Sequence, residues 1–425
     1  MNIYAPGSWL PLHKTSRIIT KADKGNLVVV LDRAEYLQKT TPLLSNTIYK
    51  PLLMDPTDIS RKSLRSLLVS FAGETNDLKL TTIATHLKYP GYYNAPELYG
   101  LLKMHKAGVP FRPIVSTINS ATSELSRYLK QIIRPLTGKE PSFIRNSKSL
   151  VNEIKEMSLN PDEILVSCDV KGLFPSIPIS HTLAVLHNLL INDESLPSRT
   201  ELNPFHIITL TSFCMQEGNY FQFDNKFYQQ VNGAPLGSPL SPVLAEVFLE
   251  SFERTVFQTV DTQIAPRLFK PYVDDVFAIM KQGREEQFLN FLNSIFPNQI
   301  SFTIEEENNT LPFFDILIMR TTKGLKAKVY RKPTHTDQYI HFTSDHPKSV
   351  LHSLSGWFSL TAVRRWFISM LNARGWRICP KDESLEKNRG PPARTDVEVV
   401  LPEGNDLSSV NHRILRCESR RKRRL

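Results

Sequence analysis

The sequence has no C-x-x-C pair, and its four cysteines (Cys168, Cys214, Cys379 and Cys417) stand far apart. That spacing offers neither a zinc knuckle nor a disulfide framework, so a reducing compartment is the default expectation. No apolar run approaches the ~18 residues that a membrane helix needs. The first residues, MNIYAPGSWLPLHKTSR, lack the compact apolar stretch and small-residue cleavage site of a secretory leader. These absences point to a protein of the nucleus or cytoplasm that is not secreted and has no membrane partner. No internal repeat stands out, which sets aside solenoids and propellers. Acidic residues are in deficit: 42 Asp and Glu against 52 Lys and Arg leave a formal charge of +10. That balance suits a polyanionic partner such as nucleic acid, although an ordinary soluble protein can also be basic.

What is present is globular. Hydrophobic residues make up 41% of 425 positions, enough for a large core and two or three domains. DKGNLVVVLD predicts a turn at Gly25-Asn26 feeding a short buried strand, Leu27 to Leu31. Residues 56–71 read as a helix capped by Asp58 or Ser60. PELYGLLKMHKAGVPFRPIVS, residues 96–116, sets a Gly-Val-Pro turn between two extended segments, a hairpin carrying Lys103, His105, Lys106 and Arg112. Leu125, Leu129, Ile132, Ile133 and Leu136 then recur at helical spacing. EILVSCDV predicts a buried strand closing at Asp169, 180–192 a helix, and 218–231 a hairpin turning at Asp224-Asn225. Ser241 as N-cap and Pro242 as first helical residue open a helix with Val243, Leu244, Val247, Phe248 and Phe252 on one face. Residues 285–296 read as a helix, and 300–332 as a three-strand meander turning at Asn308-Asn309 and Lys323-Gly324. From about residue 376 periodicity fades, and the tail ends in RRKRR at 420–424, a solvated run, a phosphate grip or a nuclear address.

The stretch PYVDDV places Asp274 and Asp275 side by side inside the apolar run LFKPYVDDVFAIM. Burying charge without a partner is expensive. A tight turn between two strands would present both acids at a sheet edge, where they can face a divalent cation. Magnesium takes one or two carboxylates together with phosphate and water oxygens. A two-metal site draws acids from more than one segment, and Asp169, closing its own strand, is the candidate second contributor. A lone Tyr-x-Asp-Asp or a strand-end Asp is commonplace. The reading gains from their order: Phe174 in DVKGLFPSIP follows the first acid, PLGSPLSP lies between the acids, and a basic hairpin precedes them.

The ordered set DVKGLF, GAPLGSPLSP and YVDD resembles the palm of reverse transcriptases. DKGNLVVVLD, LYGLLKMHK, RPIVS, LPFFDILI and VYRKPTHTDQYIHFTSDHP resemble Penelope-like retroelements, and the likeness runs over roughly residues 20–355. The resemblance implies an α+β fold shaped as a right hand of fingers, palm and thumb, its antiparallel palm sheet backed by helices. It divides the chain into 1–85 leading into the fingers, 86–160 fingers, 161–335 palm with fingers helices interleaved, 336–375 partial thumb, and 376–425 a weakly structured basic tail.

The resemblance further implies an RNA-directed DNA polymerase. A DNA primer 3′-hydroxyl would attack the α-phosphate of a dNTP on an RNA template, with two Mg²⁺ ions (Mn²⁺ possible). Asp169 and Asp274 match the metal-binding acids, the Val170 carbonyl would complete the metal site, and Asp275 matches the third acid. Phe174 matches the steric-gate position, where a large ring excludes a ribose 2′-hydroxyl. Arg112 and Lys103 match finger residues that clamp the triphosphate. Leu236 and Gly237 match the turn that packs against the incoming base and template; Leu236 stands where many relatives carry Gln and cannot hydrogen-bond the base. His335, His341 and His346 have no standard zinc spacing, and the resemblance places them between palm and thumb, with thumb helices expected over 347–371. No GIY-YIG endonuclease is visible downstream, and less chain precedes DKGN than is usual, so a truncated copy is the expectation. The alternatives are a non-catalytic nucleic-acid-binding remnant and an RNA-dependent RNA polymerase, the latter disfavoured by Phe174.

Overall fold

The computed structural model describes residues 17–331, apart from 25–27, 46, 105, 107 and 323, together with short strands at 377–378 and 399–400. The expected thumb helices, the three histidines, His105, the Gly25-Asn26 turn and the RRKRR run lie outside the described residues. The chain divides into two units, Met1–Thr336 and Asp337–Leu425.

The first unit opens with an antiparallel ribbon, β1 (Arg17–Lys21) on β2 (Val28–Asp32). The ribbon corrects the expected buried strand: Leu31 is buried, but Val28 and Val30 are more than half exposed. An unbroken apolar run reads as a strand covered on both faces, whereas a two-stranded ribbon has one face to cover. Next come α1 (Arg33–Leu44), β3 (Tyr49–Leu52), α2 (Thr57–Thr75) and α3 (Leu78–His86). The α2 start is also corrected: Asp55 Oδ1 accepts the Thr57 N–H at 2.8 Å, while Asp58 pairs with Arg61 and Lys62. β4 (Glu97–Leu102) and β5 (Phe111–Ser116) form the expected hairpin, its turn taking positive φ at Gly108 and Val109.

Helices α4 (Ser123–Ile133) and α5 (Ser147–Lys155) lead to β6 (Glu163–Val170), the four-residue α6 (Leu173–Ser176), α7 (Ile179–Ile191) and α8 (Pro204–Met215). β7 (Tyr220–Phe223) and β8 (Lys226–Gln230) turn at Asp224 and Asn225, both at positive φ, which is the type I′ signature. Strands from distant segments then assemble one sheet in the order β3-β8-β7-β4-β5. α9 (Ser241–Thr259) starts at the expected place, but Ser241 does not cap it: its hydroxyl donates to the Pro235 carbonyl at 2.7 Å.

β9 (Leu268–Tyr272), β10 (Asp275–Lys281), α10 (Glu285–Ile295) and β11 (Phe302–Glu306) follow, and the second sheet runs β11-β6-β10-β9. β12 (Thr310–Phe313), β13 (Ile316–Thr321) and β14 (Gly324–Val329) make a separate three-stranded sheet. The expected meander over 300–332 is thus four strands in two sheets, and Asn308-Asn309 links the sheets. Its missed turn is at Phe314, φ +53, where no glycine, proline or asparagine marks the sequence. In the second unit β15 (Arg377–Ile378) pairs with β16 (Val399–Val400).

The β11-β6-β10-β9 sheet is covered on both faces. Val166, Cys168 and Val170 of β6 and Val276, Ala278 and Met280 of β10 join the core shared with α2, α3, α4 and α7–α10. Their alternates Leu165, Phe277 and Ile279 pack with α5 and the β12-β13-β14 sheet. Successive residues of a strand point to opposite faces, so a strand buried on both reads as a continuous apolar run, as ILV and VFAIM do. Fold class therefore agrees with expectation: α+β, with an antiparallel sheet backed by helices. The hairpin β7/β8, in the range expected for the palm, shares one sheet with β4/β5, in the range expected for the fingers.

Candidate active site

Strand pairing, not sequence proximity, gathers the acids. β6 and β10 run antiparallel with Asp275 directly opposite Asp169 and Val276 opposite Cys168. Opposed residues in such a pair have Cα atoms roughly 4.5–5.5 Å apart. The turn between β9 and β10 folds back onto the end of β6, where the Val170 N–H donates to the Asp274 carbonyl at 2.9 Å. Val273 in that turn has φ +54, a strained conformation for a β-branched residue, tolerated where surrounding structure over-determines it. Here both flanking strands continue into paired ladders. On the other side β11 sets Thr303 opposite Asp169, and the Thr303 hydroxyl donates to the Asp169 carbonyl at 3.4 Å.

These acids crowd one another. Partial burial and then the charge of Asp274 push the Asp169 carboxyl above its ordinary range. Lys106 and a side-chain hydrogen bond with Asp275 work the other way, and Glu305 adds to the rise. A bound cation would relieve that repulsion. The donors at this edge are oxygens only, which suits a hard ion such as magnesium. Among the described residues no group of three or more His, Cys, Asp or Glu forms a metal-holding cluster. Magnesium does not require one, since it binds through one or two carboxylates completed by substrate phosphates and water.

Phe174 is set by backbone contacts. Gly172, at φ +58, lets the chain leave β6 and enter α6. The Phe174 carbonyl accepts the Ala234 N–H at 2.8 Å, and its half-buried ring packs against the main core. Gly233 permits this approach: a Cβ there would lie 2.2 Å from the Pro175 carbonyl oxygen. The Leu236-Gly237 turn is joined to the end of β5. The Val115 N–H donates to the Leu236 carbonyl at 2.7 Å, and the Thr117 hydroxyl to the Gly237 carbonyl at 3.2 Å. Gly237 has φ +130, and a Cβ would stand 2.1 Å from the Val115 oxygen.

The basic hairpin reaches the same edge. Lys103 is pushed below the ordinary lysine range by burial first, then by Arg112 and Lys106, with Asp23 and Asp169 opposing. Arg112 ion-pairs with Asp23 at 3.2 Å. Asp169, Asp274, Asp275, Lys103, Lys106 and Arg112 therefore share one electrostatic neighbourhood, flanked by the Phe174 and Gly237 turns. Asp23 and Glu305 were not anticipated. Glu305 could have been suspected from FTIEEE, where acids interrupt strand alternation; Asp23 looks like any turn aspartate.

Residues 104–303 match the family profile described as reverse transcriptase (RNA-dependent DNA polymerase). A search of curated proteins finds no match to the chain. Telomerase from Candida albicans, in complex with the TWJ fragment of telomeric RNA, superposes with TM-score 0.53 at 11% identity, over 81% of this chain and 58% of that one. Telomerase from Candida tropicalis with the same kind of RNA fragment gives 0.51 at 10% identity, over 84% and 60%. The apo form from C. tropicalis gives 0.50 at 10%, over 73% and 56%. At such identities the likeness concerns the fold, and the chain spans less than two thirds of each of these telomerase chains. Among the described residues no helix is long and apolar enough to cross a membrane.

Proposed function

We propose that this chain, with its reverse transcriptase match over residues 104–303, is an RNA-directed DNA polymerase of a Penelope-like retroelement. The cross-strand placement of Asp169 opposite Asp275, with Asp274 in the adjoining turn, carries the reading. The Penelope-like assignment rests on the companion motifs DKGN, LYGLLKMHK and LPFFDILI.

In this reading Asp169 and Asp274, with the Val170 carbonyl, would hold two Mg²⁺ ions. Such ions would supply Lewis-acid activation of a primer 3′-hydroxyl and charge neutralisation for a leaving pyrophosphate. The chain's own residues do the positioning, which is most of the catalysis in phosphoryl transfer. Asp275 shares a hydrogen bond with Asp169 and keeps that carboxyl oriented. Arg112 and Lys103 bind the triphosphate. Phe174 blocks a 2′-hydroxyl, the group by which RNA is told from DNA. Gly237 lets the backbone at Leu236 lie close to β5, forming a floor for the incoming base and template.

The test is primer extension on an RNA template with dNTPs and Mg²⁺ or Mn²⁺. The wild-type chain should extend the primer, and Asp274→Ala should not. Extension that survives Asp274→Ala rules out the mechanism. Template–primer binding without extension, unchanged in Asp169→Ala, would assign the chain as a non-catalytic binder.

A further inference from the structure

Asp23 lies just beyond β1, outside the strands that carry the acids. Its side chain is only 3% exposed and ion-pairs with Arg112 Nη1 at 3.2 Å. Its second oxygen, Oδ2, is buried without a hydrogen-bond partner. A buried carboxylate is costly unless a matched cation offsets it.

The backbone holds this segment without help from the carboxylate. The Asp23 N–H donates to the Leu102 carbonyl at 2.9 Å, Ala22 bridges to Leu102, and the Thr20 hydroxyl contacts the Gly100 carbonyl at 3.4 Å. The side chain is therefore free for another task, and what it reaches is Arg112. The Arg112 side chain is 38% exposed, so it meets Asp23 through Nη1 while part of it stays accessible to solvent. A guanidinium presents five donors in a rigid fork, enough to keep a carboxylate on one edge and take a phosphate on another.

We propose that Asp23 is a positioning residue for nucleotide triphosphate recognition: its buried carboxylate fixes the Arg112 guanidinium so that the solvent-accessible part faces the incoming phosphates. The inference rests on the polymerase reading above. Lys103 supports it, since Arg112 and Lys106 disfavour its charged form and Asp23 offsets them. The same carboxylate thus keeps two neighbouring cations compatible before the nucleotide arrives.

Steady-state dNTP incorporation by the full chain tests the idea. Asp23→Asn keeps the size and removes the charge. It should raise the dNTP KM roughly tenfold, the scale of one charge-assisted hydrogen bond, with kcat within about threefold. Asp23→Glu, which restores the charge one methylene further out, should recover part of the loss. In an Arg112→Ala background Asp23→Asn should add nothing further, because its effect runs through Arg112. If Asp23→Asn melts below the assay temperature, Asp23→Glu carries the test: a raised KM with Arg112 present and no effect without it. A wild-type KM in folded Asp23→Asn (or, where that variant does not fold, in Asp23→Glu), or an effect that adds fully to Arg112→Ala, overturns the proposal. A wild-type chain that incorporates no dNTP overturns the polymerase reading instead.

Discussion

Replacing Gly233 with alanine should destabilise the protein and disturb sugar selection together. Gly233 is at φ +70, where an L side chain costs about 1–2 kcal/mol. The added Cβ would stand 2.2 Å from the Pro175 oxygen and 2.5 Å from its Cα. Both neighbours are backbone, so relief requires the loop carrying Phe174 to move. Such a shift breaks the Ala234 N–H to Phe174 carbonyl bond, 2.8 Å long, for about another 1–2 kcal/mol. The sum, about 2–4 kcal/mol, corresponds to a melting temperature lower by about 2–5 °C for a chain of this size. Gly73→Ala is the control. It lies within α2 with nothing within 4 Å of its added Cβ, so it should gain about 0.5–1 kcal/mol. Thermal melts followed by circular dichroism compare the two variants, and dNTP against NTP incorporation reads the displaced ring. A Gly233→Ala protein that melts within about 1 °C of wild type with unchanged sugar preference would show that Gly233 does not hold Phe174 in place.

Three further outcomes are expected. Phe174→Ala should admit NTPs at least about tenfold better relative to dNTPs, the scale of one removed steric clash; an unchanged ratio in competition extension assays contradicts the gate assignment. Burial above all pushes the Glu253 carboxyl up, and Oε2 has no hydrogen-bond partner. A raised folded-state pKa means that its stability contribution is present at acid pH and lost as pH rises through that value. Glu253→Gln should therefore raise the melting temperature more at pH 8 than at pH 4, and a shift independent of pH refutes this. Cys168 and Cys214 are buried, with thiols pushed up to about 12. Peptide mapping should find both unlabelled by a thiol reagent at pH 8 until the protein is unfolded; rapid native labelling of either would contradict their placement.

The sheet that carries the acids was legible because its central strands β6 and β10 are covered on both faces, leaving the apolar runs ILV and VFAIM. The turn at Asp274 was legible for the opposite reason, two acids inside such a run. Pairing of β6 with β10 was not readable from periodicity, since 104 residues separate Val170 from Asp275 by number and no local signal selects a partner strand. It followed from the order of motifs. The Phe314 turn was missed because a bulky residue at positive φ is no turn signal, and the change of sheet at Asn308-Asn309 was missed because an Asn-Asn turn looks the same whether or not the strands it joins pair. Ser241 was misread because serine hydroxyls serve either a helix start or a distant carbonyl. Asp23 escaped notice since its role depends on a contact with Arg112, 89 positions away.

The order β3-β8-β7-β4-β5 has a bearing on how the protein can be cut. A recombinant fragment begun at residue 104, where the family match starts, would discard β3 and β4. Both sides of the β7/β8 hairpin would then present bare backbone donors and acceptors, a template for association between molecules. Fragments meant to stay monomeric should keep everything from residue 17 onward, so that each of these strands retains its neighbour.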